Sequence, residues 1–150
     1  MKKPIEGGCA CGAIRYRFEA DPVRMFKCHC RDCQRATGGP FVAAMMVPVA
    51  AFRFVKGTPT YYATPSAKGG ENTRSFCGTC GSRLTGGQRG PSWPFIGITA
   101  SSLDDPSVYR PESHFFVSQA QPWDIIEDDL PKHDMYPPPP PEGEKPAVGQ

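Results

Sequence analysis

Residues 28–39 read CHCRDCQRATGG, and this stretch holds three cysteines followed at once by the clearest helix signal in the chain. The residues from Arg31 to Thr37 contain neither glycine nor proline, and Gly38-Gly39 supplies a stop signal. The sequence therefore predicts one short helix directly after the cysteines.

Short segments rich in β-branched and aromatic residues flank this helix on both sides. They cover residues 13–18, 23–27, 41–47, 52–55, 60–63, 73–76, 83–85, 95–99 and 113–118, and a second turn of helix is expected near Ser101. Glycine and proline separate the segments. Frequent short strands of this kind predict a mainly β fold of folded-over antiparallel sheets with one short helix.

The chain has 150 residues, 39% of them hydrophobic, which suits one compact domain. We expect this domain at residues 1–133. Residues 134–150 carry a run of five prolines at 137–141 and then small polar residues, so they predict a flexible, proline-rich tail. A polyproline ligand for a partner domain is the alternative interpretation of the tail.

Charge and hydropathy exclude several classes of partner. The net charge is +2, and basic and acidic residues are mixed along the chain, so we expect no nucleic-acid partner. The N-terminus lacks the apolar stretch of a signal peptide, and no run of about 18 apolar residues follows, so we expect no membrane association. These patterns predict a cytoplasmic protein.

The seven cysteines fall into three groups, two of which stand before a glycine. A reducing compartment and an odd number of thiols argue against a disulfide framework and for metal binding. Glycine lets the backbone curl so that two nearby sulfurs face one ion. The two outer groups therefore predict a closed zinc site made by Cys9, Cys11, Cys77 and Cys80.

The middle group, Cys28, Cys30 and Cys33, can reach one ion without help from elsewhere and leaves its fourth position open. Structural zinc is normally closed by four protein ligands, whereas catalytic zinc keeps a position for water or substrate. The division predicts two zinc ions per chain, one structural and one catalytic. In the alternative, His29 or His114 closes the second site as well, and iron–sulfur clusters or copper(I) are the competing metals.

The cysteine pattern resembles that of the glutathione-dependent formaldehyde-activating enzyme family, which includes centromere protein V. The matching motifs are CxCG at 9–12, CHCxxCxxxTG at 28–38, FCxxCGS at 76–82, HxxV at 114–117 and PW at 122–123, and the resemblance extends over about residues 6–132. It implies a β-rich fold with structural zinc on the outer groups and catalytic zinc on the middle one. It also implies a carbon–sulfur lyase that joins a small thiol, glutathione, to a small aldehyde, formaldehyde.

The open site suits thiol activation, because zinc removes the proton from a coordinated thiol. We expect Cys28, Cys30 and Cys33 to hold this zinc and His29 to shuttle a proton, although a supporting hydrogen bond is the commoner role for such a histidine.

Glutathione carries two carboxylates, so its site needs cations near the metal. Lys27, Arg31 and Arg35 are the candidate anchors, with an ordinary solvated basic face as the alternative. The competing class of function is a non-enzymatic, zinc-stapled interaction module.

Overall fold

The computed structural model describes residues 1–88 and 93–137. In this part of the chain ten strands form two sheets, and there is one α-helix, which confirms the predicted mainly β fold. The strands are β1 (Ile5–Gly8), β2 (Arg15–Phe18), β3 (Arg24–Cys28), β4 (Val42–Pro48), β5 (Phe52–Lys56), β6 (Thr60–Pro65), β7 (Glu71–Phe76), β8 (Arg83–Gly86), β9 (Phe95–Thr99) and β10 (Ser113–Phe115). Over the same residues, no helix has the length and apolar character needed to cross a membrane.

The smaller sheet has the strand order β1-β2-β5 and is antiparallel. Alternation along β2 places Tyr16 and Phe18 on the inner face, where both are fully buried. The sequence does not predict β1, because its Gly7-Gly8 pair is typical of turns. Gly7 is required there for packing, since a Cβ would overlap the Tyr16 ring and the backbone oxygen of Ser102.

The larger sheet has the strand order β10-β3-β4-β9-β8-β7-β6. Its strands pair antiparallel except for β10, which runs parallel to β3. Cys28, the last residue of β3, lies between Val42 of β4 and Phe115 of β10. The middle cysteine group therefore begins inside the sheet rather than on a free loop.

Buried side chains from both sheets form one hydrophobic cluster, to which Ile5, Tyr16, Phe18, Met45, Val47, Leu84 and Ile98 belong. Cys9 and Cys77 are part of the same cluster. A second cluster surrounds the middle cysteines and contains Val42, Ala44, Phe115 and Phe116. The outer cysteines are thus joined to the first cluster, and the middle cysteines are joined to the second.

The single α-helix of the described residues, α1 (Arg31–Thr37), has the predicted bounds, and the expected second turn of helix near Ser101 is a 3-10 turn over Ala100–Ser102. Cys30 is its N-cap, and the Cys30 sulfur accepts a hydrogen bond from the Cys33 N–H at 3.3 Å. Gly38 ends the helix in the left-handed conformation with φ 73°. The glycine stop signal read from the sequence is confirmed, because a left-handed cap favours glycine.

Strand β10 is shorter than predicted, because Phe116 adopts a left-handed conformation with φ 57° and turns the chain out of the sheet. The Phe116 N–H donates to the Met135 oxygen at 3.0 Å, and the Tyr136 ring packs edge-on against the Phe116 ring. Residues 134–136, which begin the predicted tail, therefore contact the sheet. Residues 138–150 of that tail lie outside the described residues.

Candidate metal centres and the cleft beside them

The outer cysteines meet although they are far apart in the chain. The Sγ atoms of Cys9, Cys11, Cys77 and Cys80 all lie within 4.8 Å of one another. The Cys9–Cys11 and Cys11–Cys77 sulfur distances are 3.6 and 3.8 Å. Tetrahedral zinc with Zn–S bonds of about 2.3 Å needs sulfur–sulfur distances of about 3.8 Å, so the four sulfurs fit a zinc ion.

Two glycines shape the turns that carry these sulfurs. Gly12 and Gly81 have φ values of 73° and 76°, and their N–H groups donate to the backbone oxygens of Cys9 and Cys77. A side chain would strain this left-handed conformation. The Ile14 N–H also donates to the Cys9 sulfur at 3.2 Å. Backbone donors that point at sulfur favour the thiolate, which is the form that binds metal.

The middle cysteines form a second group whose three Sγ atoms also lie within 4.8 Å of one another. Among the described residues, no fourth Cys, His, Asp or Glu donor joins this group. Three thiolate donors in a half-closed pocket suit zinc with one position left for a ligand.

Close contact between the three thiols moves their pKa values apart. Hydrogen bonds from Cys28 and Cys33 lower the pKa of Cys30, and the same contact raises the pKa of Cys28 well above its usual value. The negative charge of the group is therefore favoured on Cys30, the residue that also caps α1.

A cleft of about 560 Å³ opens beside the middle group, and Cys28, Cys30 and Cys33 line it. Apolar side chains form most of its wall: Phe26, Val42, Ala44, Met46, Phe95 and Ile98. Its size is in the range of small-molecule binding sites. The sulfurs thus face a cleft large enough for a small ligand.

The three basic residues predicted as anchors are placed differently. Arg31 lines the cleft, and its guanidinium bonds to Gln34 Oε1. Lys27 pairs with Asp128 at 2.9 Å, and neither Lys27 nor Arg35 is among the residues that line the cleft. Of the predicted anchors, the structure brings only Arg31 to the cleft.

Three other arginines, Arg24, Arg74 and Arg83, line the cleft and were missed by the sequence reasoning. Arg74 of β7 is only 7% exposed, and its Nη2 lies 3.9 Å from the Cys33 sulfur. Arg83 of β8 lies beside it, and burial, followed by repulsion from Arg74, lowers the pKa of Arg83 to about 10. Arg83 therefore remains charged at neutral pH. An arginine at an inward position of a strand, close to a CxxC motif, was the available signal.

His29 points away from the sulfurs, into a chain of buried hydrogen bonds. Its Nδ1 bonds to Asp124 and its Nε2 to His114 Nδ1, both at 2.8 Å, and His114 Nε2 bonds to Asp128 at 2.8 Å. His29 and His114 are 0% and 1% exposed. Both nitrogens of the predicted proton shuttle are therefore engaged, and His29 is not among the residues that line the cleft.

The histidine pair needs an extra proton for all of these bonds to form. With both aspartates ionised, each outer nitrogen must donate a proton, so two neutral rings would set lone pairs face to face between His29 and His114. One shared proton would satisfy all three bonds. Burial lowers the pKa of His29, and the hydrogen bond that the Asp124 carboxylate accepts from this ring opposes the shift. The network links the segment that contains Asp124 and Asp128 to His29, which follows β3, and to His114 of β10.

Replacing His114 by leucine should lower the free energy of unfolding by about 2–4 kcal/mol, because His29 Nε2 is left buried without a partner. The melting temperature followed by circular dichroism should fall by roughly 5–15 °C. His133→Leu is the matched control, since the His133 ring only packs edge-on against Phe115. Equal melting temperatures for the two variants would show that the network adds no stability.

Comparison with known proteins gives matches over most of the chain. A family model described as glutathione-dependent formaldehyde-activating enzyme matches residues 4–119. A Halomonas elongata protein with the provisional name glutathione-dependent formaldehyde-activating enzyme is 30% identical over 129 residues, which cover 82% of this chain and 81% of that protein. The crystal structure of a Rhodobacter sphaeroides protein is similar at 25% identity with a TM-score of 0.53, over 66% of this chain and 87% of that one. The family match includes all seven cysteines and both buried histidines.

Proposed function

The chain belongs to the glutathione-dependent formaldehyde-activating enzyme family, and on that premise we propose that it catalyses the reversible addition of a thiol such as glutathione to a small aldehyde such as formaldehyde. This is carbon–sulfur lyase chemistry. The observation that carries the proposal is the group of three sulfurs that faces the cleft without a fourth donor among the described residues.

The reaction forms a C–S bond and an O–H bond, and it breaks the S–H bond and the π bond of the carbonyl. The thiol sulfur bonds to the carbonyl carbon, the C=O double bond becomes a C–O single bond, and the proton of the thiol ends on that oxygen. Two zinc ions per chain are proposed, a structural one on Cys9, Cys11, Cys77 and Cys80 and a catalytic one on Cys28, Cys30 and Cys33. Zinc bound to the three cysteines would keep a thiol ligand deprotonated at neutral pH.

The chain's own residues provide the surroundings for this step. Cys28 is fixed by strand β3, and Cys30 and Cys33 are fixed by the first turn of α1. Arg74 places a positive charge 3.9 Å from the Cys33 sulfur, which stabilises thiolate character in the group. The apolar wall excludes water and so strengthens these electrostatic interactions. Residues 1–133 are proposed as the catalytic domain, and seven free thiols fit a reducing, cytoplasmic location.

Exchange NMR spectroscopy tests the proposed activity, because glutathione and formaldehyde also combine without a catalyst. Protein with a measured zinc content should speed the exchange between ¹³C-formaldehyde and its glutathione adduct by at least about 100-fold over buffer. The same protein after treatment with a chelator is the control. An exchange rate equal to that of the control, with zinc bound and the fold intact, would favour the zinc-stapled interaction module.

A further inference from the structure

Arg74 and Arg83 at the cleft have no acidic partner in the described part of the chain. Among residues 1–88 and 93–137, no carboxylate lies within ion-pair distance of Arg74 or Arg83, whereas Arg15 and Arg53 each pair with one. Arg74 bonds to Thr64 Oγ1 at 2.6 Å, and Arg83 Nε donates to the Thr85 oxygen at 3.1 Å. Two neighbouring buried guanidinium groups repel each other, so an anion between them would stabilise the pair.

Arg83 also has an unused donor. Its Nη1 is buried and has no hydrogen-bond partner among the described residues. Buried donors in proteins almost always have a partner, so this N–H indicates an acceptor that the chain does not provide.

The negative charge of the sulfur group neutralises only part of the positive charge of Arg74 and Arg83. Three thiolates with a divalent ion carry one net negative charge, which balances one guanidinium and leaves the other. Arginine guanidinium groups bind carboxylates through two parallel hydrogen bonds, so these two side chains suit a carboxylate ligand.

We propose that Arg74 and Arg83 bind a carboxylate of the thiol substrate, which makes the preferred thiol an acidic one. This inference rests on the proposed function for the assignment of the carboxylate to the thiol. It assigns the anchoring role to residues of β7 and β8 instead of Lys27 and Arg35.

Gly86 leaves the space in which the Arg83 side chain lies. A Cβ at Gly86 would overlap Arg83 Nη2, and the next nearest atoms, Arg74 Cγ and Arg83 Cζ, are both 3.6 Å away. Alanine at this position would displace the guanidinium without removing its charge. Gly86→Ala is therefore a second way to disturb the site while Arg83 stays in place.

A matched pair of thiols tests the proposal. 3-Mercaptopropionate and 3-mercaptopropan-1-ol differ in the carboxylate, and their binding to zinc-loaded protein can be compared by titration calorimetry at one pH. For the natural sequence we expect 3-mercaptopropionate to bind at least about tenfold more tightly. Arg83→Gln should reduce this preference to less than about threefold, and Gly86→Ala should reduce it partly. Arg53→Gln, an exposed arginine on β5, should leave it unchanged.

Zinc content and melting temperature are measured for each variant, and Gly86→Ala decides the question if Arg83→Gln does not fold. The proposal is overturned if the natural sequence binds the two thiols equally, or if folded, zinc-loaded Arg83→Gln keeps the full preference. Because the readout is binding, it separates the two hypotheses: a carboxylate preference without adduct exchange would sustain this site and reject the proposed reaction.

Discussion

Replacing Cys77 by serine should unfold the protein. Cys77 is 1% exposed, belongs to the main hydrophobic cluster, and lies 3.8 Å from a cysteine that precedes it by 66 positions. A metal that joins such distant segments contributes directly to folding, and structural zinc binding is worth about 10–16 kcal/mol in small zinc domains. This is as large as the total stability of a typical domain, about 5–15 kcal/mol. We therefore expect aggregation on expression or the loss of a cooperative melt.

Circular dichroism melts and elemental zinc analysis of the purified variant measure this outcome. Thr79→Ser, in the same turn but without a sulfur, is the matched control and should resemble the natural protein in both. A Cys77→Ser protein that melts within about 4 °C of this control, roughly 1 kcal/mol, would show that the outer group does not hold the fold together.

Replacing Cys30 by serine should abolish activity while the protein stays folded. The three middle cysteines lie within six residues of one another, so a metal on them closes a very short loop and constrains the chain little. Cys30 is the N-cap of α1, and serine is among the preferred residues at that position, so the helix keeps its cap. The variant should lose one of the two zinc ions and reduce adduct exchange by at least about 100-fold.

Cys30→Ser and Cys77→Ser are compared side by side by melts, zinc counts and exchange NMR. The expected result for Cys30→Ser is a melting temperature within about 4 °C of the natural protein and one zinc ion per chain. If it unfolds as badly as Cys77→Ser, the middle group is a second structural staple. The catalytic interpretation would then lose its main support.

Local signals predict the secondary structure well, because they act within a few residues. The helix bounds follow from Gly38, and the alternation around Tyr16 and Phe18 marks a strand with one buried face. Strand β1 escapes prediction, since Gly7 serves a contact with Tyr16 that only the folded chain creates.

The site is less predictable, because its polar contacts join residues far apart in sequence. No local pattern shows that His29 faces Asp124 and His114, which follow it by 95 and 85 positions. Arg74 and Arg83 come to the cleft through the pairing of β7 with β8 and the order of strands in the larger sheet. By contrast, the cysteine groups can be recognised from their spacing and from the neighbouring glycines, which are features of the sequence itself.

The separation of the outer cysteines along the chain also determines when each metal site becomes complete during synthesis of the protein. A ribosome adding about 5–20 residues per second needs roughly 3–13 s to extend the chain from Cys11 to Cys77. During that interval the first two thiols of the closed site have been synthesised without their partners, whereas Cys28 to Cys33 are made within about one second. The open site can therefore acquire its ion on the nascent chain, and the closed site only after half the protein has been made.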